Sequence, residues 1–196
     1  MAVYSSAGFP PCDLWDFAIK LYSEDAVSEA CLALQDRMKI DVNLLLFCVW
    51  VAASGRETLT EQELEEGIAS ASGWQSNVVD PLRAMRRYLR SPENNIDNRL
   101  ASDLRRIISD SEIYSERLEL QMLGKLIDRP VTSSFGGKEC ADAAAENLLS
   151  YMSRVTDRLE DEDRKDLLVI WQTAFPSANV QTCNLAADRN DMLLRF

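Results

Sequence analysis

From Leu44 to Ala53 the chain carries no charged residue and nothing polar beyond Cys48. A helix that is apolar on every side must be enclosed, in a protein core or in a membrane. This run falls well short of the roughly 20 residues that cross a bilayer. It therefore predicts a central apolar helix at about 42–53, inside a soluble domain. Asp41 stands at its N-cap, with a carboxylate available to the first free backbone amides. The expected fold class is all-α: a single-domain helical bundle of about eight helices packed around that element.

The remaining pattern supports helices throughout. Pro10-Pro11 closes an extended leader, 1–12. Leu14, Phe17, Ala18 and Leu21 recur at helical spacing, as do Val27, Ala30, Cys31 and Leu34. Thr60-Glu61-Gln62-Glu63 reads as a capping box. Ser72-Gly73 reads as the end of the helix it opens. Asp80-Pro81 reads as a fresh N-cap with proline at the first helical position, for a helix to about Arg90. Ser91 to Asn95 reads as a loop. From about Asn98 to Asp128 a long helical stretch is expected, with Leu100, Leu104, Ile107, Ser111, Tyr114 and Leu118 three or four apart, either as one helix or as two divided near Asp110-Ser111. The helical core domain is thus 13–130, followed by a connector at 131–137. Residues 138–196 supply C-terminal helices and a tail packed on the core.

Composition narrows function more than it defines it. The net charge of -11 disfavours general nucleic-acid binding, which depends on neutralising phosphates, and an anionic membrane surface. The five cysteines are odd in number and dispersed, and two lie in apolar helices. Free buried thiols and a reducing, cytoplasmic setting are expected. The N-terminus has no basic residue or apolar core of the signal-peptide kind. Histidine is absent, which removes the commonest general base and zinc ligand.

One cluster stands out against this background. Arg83, Arg86, Arg87 and Arg90 fall within one arc of a helix, beside the apolar edge of Leu82, Met85 and Leu89. Residues 81–106 hold seven basic and three acidic side chains, +4 locally, so the remainder carries -15. Guanidinium groups in a row suit carboxylates or phosphates, which they bind bidentately. The competing reading is that they pair with the chain's own acidic groups or solvate a face. Asn43 is a polar residue one step inside the apolar helix, placed to support the cap, satisfy a buried group or face a pocket. Trp15, Trp50, Trp74 and Trp171 read as core anchors. Ser134 to Lys138 lacks the Walker spacing and reads as a linker. The carboxylates at 61–66 and 160–163 have no metal-ligand spacing, so neither a metal nor another cofactor is expected.

Trp15-x-Phe17, Leu21-Tyr22, Glu29-Ala-Cys-Leu-x-Leu-Gln35, Asp41-Val-Asn-Leu-Leu-Leu-Phe47 and Trp50 together resemble a proteobacterial family of conserved hypothetical proteins. Trp74, Val79, Pro81-Leu-Arg83, Arg86-Arg87 and Ser111-Glu-Ile-x-Ser-Glu-Arg117 continue the resemblance, which covers about residues 13–126. It implies a small, soluble, helical bacterial protein and no reaction, and the tail from about Ala178 extends past the family's usual end.

Two expectations follow. The first is a non-enzymatic cytoplasmic protein that binds a macromolecule, a protein with an acidic surface, through the arginine face. The second is an enzyme or carrier for a small anionic ligand held by the same arginines, with Asp41 or Asn43 nearby. A broad exposed stripe favours the first; a cavity with convergent polar groups favours the second.

Overall fold

The computed structural model describes residues 10–90, 96–132, 137–179, 183 and 185. Among them the chain is all-helical, without strands. The helices are α1 (Asp13–Tyr22), α2 (Asp25–Met38), α3 (Val42–Ala53), α4 (Glu61–Trp74), α5 (Asp80–Tyr88), α6 (Asn98–Gly124), α7 (Lys138–Val155) and α8 (Asp161–Ala174), with a π-helical stretch, Gln75–Val79, between α4 and α5. The expected loop at 91–95, most of the connector at 133–136, the leader before Pro10 and most of the tail lie outside the described residues.

Every side chain of α3 from Leu44 to Ala53 is buried. The helix starts where its cap dictates: Asp41 Oδ1 accepts from the amides of Asn43 at 2.8 Å and Leu44 at 3.2 Å. Around it pack α7, α6 and α1, while α8 lies along α2. One buried cluster runs through all of these, so α7 and α8 share a core with the N-terminal helices. Asn147 of α7 fastens that contact. Its amide donates to the Cys48 carbonyl at 3.0 Å, and its Oδ1 accepts from the Leu59 amide at 2.7 Å. Gly67 lets α4 come close: a Cβ there would lie 3.3 Å from Leu44 Cδ1.

Two boundaries differ from the sequence expectation. Ser72-Gly73 ends nothing, because α4 continues through Trp74 into the π-helical stretch and on into α5. Val79 and Asp80 are both right-handed helical, so Asp80 is not a cap. Pro81 has no N–H to give and would crowd the carbonyl four residues back, and the wider π turn before it accommodates both. The Trp74 indole holds the junction by donating to the Ser115 carbonyl at 2.9 Å.

The break near Asp110-Ser111 is also absent, and α6 is continuous over 27 residues. Its buried face is Ala101, Ile108, Glu112, Ser115, Glu119, Leu120 and Leu123. The stripe of Leu100, Leu104, Ile107 and Tyr114 points outward instead, each of the four between 44% and 57% exposed. The inward face carries carboxylates, so apolar periodicity alone does not mark it. Ser111 spends its hydroxyl on the Ile107 carbonyl within the helix, at 2.8 Å, without interrupting it.

Candidate functional site

Six residues were singled out as binding candidates, and the structure sorts them. Asp41, Arg83, Arg86 and Arg87 line one open cleft of about 660 Å³, which also takes in Lys39, Gln75, Tyr151 and Arg154. Asn43 lies behind its wall. Arg90 lies outside it, in a neighbouring groove of about 480 Å³ between α5 and α6 whose charged lining is Arg86, Arg90, Arg105 and Arg106 with Asp103 and Asp110.

The arginine arc does not stay exposed as a unit. Arg83 turns inward: Nε meets Glu112 Oε1 at 3.1 Å, Nη2 meets Glu116 Oε1 at 2.7 Å and Nη1 reaches Gln75 Oε1 at 3.4 Å. Arg86 places Nε on Glu112 Oε2 at 2.5 Å and Nη2 on Oε1 at 3.2 Å. Arg87 and Arg90 are exposed. The cause is local geometry. Residues 83 and 86 fall on the α5 arc nearest α6, where Glu112 and Glu116 stand one turn apart on the opposing face. Burial works against the Arg83 charge, but Glu116 and Glu112 outweigh it and hold the guanidinium firmly protonated. Burial likewise raises the Glu116 carboxyl above its ordinary range, with Arg83 pulling the other way.

Behind this pair lies a second acidic centre. Glu119 is fully buried. Its Oε2 accepts from Asn43 Nδ2 at 2.9 Å and from Gln75 Nε2 at 2.8 Å. Its Oε1 and Asp41 Oδ2 are both buried without a donor. Burial, then the charge of Asp41, pushes the Glu119 carboxyl up to about 9. The Glu119 carboxyl therefore keeps its proton at neutrality. Tyr151 completes the setting: its hydroxyl accepts from the Asp41 amide at 3.0 Å, and burial raises its pKa.

Asn43 thus serves the buried Glu119 and Asp41 serves as the cap of α3. Glu112, Glu116, Glu119, Gln75 and Tyr151 were not singled out from the sequence. A signal existed for three of them: positions 112, 116 and 119 share a helix face, and matched against the arginines they complete the network. Trp15 and Trp74, expected as core anchors, are only partly buried: the Arg117 guanidinium lies 5.1 Å from the Trp15 ring centroid, and Trp74 stands at the α4–α5 junction. Among the described residues no group of three or more His, Cys, Asp or Glu is arranged to hold a metal, and no helix is long and apolar enough to cross a membrane.

Fold and site together define a helical protein with a polar network and, at one helix junction, a cleft where Lys39 and four arginines stand with Asp36, Asp41 and Asp80. Residues 13–123 match a family described as "Protein of unknown function (DUF2390)", and the chain belongs to that family. No curated protein and no solved structure matches it.

Proposed function

We propose that the protein binds a small anionic molecule, a carboxylate or a phosphate ester, in the cleft between α2, α4, α5 and α7. One observation carries this reading: Arg83, Arg86 and Arg87 of α5 line a single cavity with Asp41 from the distant start of α3. Arg83 is spent on its internal partners. Arg86 directs two nitrogens at Glu112, with Nη1 outside those contacts. Arg87 makes no ion pair among the described residues. Arg86 and Arg87 are therefore the cations that a ligand meets, with Lys39 across the cleft. Binding is favoured over catalysis. Glu119, whose pKa is displaced most usefully, is fully enclosed, and the Tyr151 hydroxyl is engaged by the Asp41 backbone. The same reading takes the fold as one bundle organised around α3. It also takes the protein as cytoplasmic, in keeping with the buried Cys31 and Cys48 thiols, both pushed up by burial.

A panel of small carboxylates and phosphate esters, screened by thermal shift and confirmed by calorimetry, tests the proposal. At about 100 times Kd a true ligand stabilises the fold by about 2.7 kcal/mol. Arg87→Ala should abolish that shift while melting like the parent. A panel without effect, or undiminished binding by the variant, refutes the reading. A second reading, docking of an acidic protein segment, is favoured by the exposure of Arg87 and Arg90 beside the groove of Arg105 and Arg106. An acidic peptide that binds in place of small anions, and is lost on Arg90→Glu, would select it.

A further inference from the structure

A second cavity, of about 610 Å³, shares no residue with the cleft. It is framed by α1, by the ends of α3 and α8, and by Val131 beyond α6. Phe17, Leu21, Trp50, Val131 and Phe175 give it apolar walls. Phe17 is half-buried and Val131 exposed, while the other three are buried and present only their edges. A concave, mostly apolar space of this size with a few polar groups is the usual form of a small-molecule site.

The turn after α3 places a cation in it. Gly55 takes φ 78°; its amide donates to the Ala52 carbonyl at 2.9 Å, and the Arg56 amide donates to the Val51 carbonyl at 3.2 Å. In such a turn the residue after the glycine folds back on the last helical turn. Here that residue is Arg56, whose guanidinium lies 5.2 Å from the Trp50 ring centroid. Thr132 clamps the turn from outside: its amide donates to the Gly55 carbonyl at 2.8 Å and its hydroxyl to Glu57 Oε1 at 2.6 Å. The stack on Trp50 accounts for where Arg56 lies but leaves its charge unanswered. Arg56 makes no ion pair among the described residues, and its Nε is buried without an acceptor.

Across the cavity, α1 contributes Asp13, Asp16 and Lys20, and Glu24 follows it. Asp13 and Asp16 are exposed and make no ion pair among the described residues. Lys20 stands one helical turn from both Asp16 and Glu24 and offsets part of their charge. The charged lining is thus three carboxylates and two cations. A simple anion would meet the carboxylates, and a simple cation would meet Arg56. A molecule that carries both charges answers both. Its carboxylate forks onto the guanidinium, its ammonium turns to Asp13 and Asp16, and its apolar part covers Phe17 and the edge of Trp50.

We infer that this cavity binds a small zwitterion with an apolar body, an α-amino acid with an aromatic or large aliphatic side chain. The inference is independent of the cleft reading, because the two sites have no residue in common.

Calorimetry of the full chain with L-phenylalanine, L-tryptophan and L-leucine, to about 10 mM, tests it. At least one should bind, and no binding by any of the three overturns the inference. For the tightest, the analogue without the amine and the analogue without the carboxylate should each bind at least about tenfold more weakly. Either analogue binding as tightly as the parent amino acid refutes the zwitterion. Arg56→Gln should weaken binding about tenfold or more with circular dichroism unchanged. Asp13→Asn with Asp16→Asn, both on the exposed face of α1, should weaken it independently, and affinity that survives either change overturns the inference. Arg87→Ala in the cleft should leave this binding intact; its loss there would move the amino acid to the cleft and refute the second site.

Discussion

Glu119 is the residue with the clearest thermodynamic signature. Folded, it keeps its proton up to about pH 9; unfolded, an ordinary glutamate releases it near 4.5. Between those values the folded chain binds one more proton than the unfolded chain. The contribution of Glu119 to stability is therefore fully present below about 4.5 and is lost as pH rises toward 9, by at most about 1.4 kcal/mol per pH unit. Glu119→Gln should flatten that slope. A glutamine does not titrate, and its carbonyl accepts from Asn43 and Gln75 as Glu119 Oε2 does. Urea unfolding at about pH 5, 7 and 9 should show the variant gaining on the parent as pH rises. A variant that does not gain on the parent across this range would rule out a Glu119 that keeps its proton when folded.

At the scale of elements, α5 separates two kinds of arginine that look alike in sequence. Removing the Arg83 side chain leaves Glu112 and Glu116 short of a partner in a half-buried setting and should cost about 2–4 kcal/mol. Removing Arg87 should cost under about 0.5 kcal/mol, because nothing internal depends on it. Chemical denaturation of Arg83→Ala and Arg87→Ala compares them directly, and equal effects would refute the assignment. The sequence made the arginine arc visible because periodicity on one helix is a local property. It could not say which way each guanidinium turns, since Glu112 and Glu116 lie 26 to 33 positions further on. The all-helical class was legible for a similar local reason: apolar residues recur at helical spacing along most of the chain. The α4–α5 junction was not, because Ser72-Gly73 and Asp80-Pro81 are genuine stop and start signals by composition. They are overridden by the π-helical turn and by the Trp74–Ser115 bond, which only the folded neighbourhood supplies.

Across the whole molecule, the N-terminal half of α6 carries α5, and its C-terminal half sits in the core, with Gly124 beside Leu14. Local signals could not reveal this arrangement, because the α6 face with the best apolar periodicity is the one turned to solvent. The helix is also unbroken, so its two ends are locked in phase, and the length of the chain there becomes a constraint in its own right. A single alanine inserted after Ser111 rotates residues 98–111 by about 100° against Glu112, Ser115 and Glu119. Ala101 and Ile108 would leave α5, although no existing side chain had been changed. An insertion of seven residues adds nearly two whole turns and restores the phase to within about 20°. The one-residue insertion should therefore lower the melting temperature more than the seven-residue insertion does, by a margin that differential scanning calorimetry can measure. In this stretch of the gene, frame-preserving insertions and deletions are expected to be rarer than substitutions, because a helix read on two faces tolerates new side chains more readily than a new pitch count.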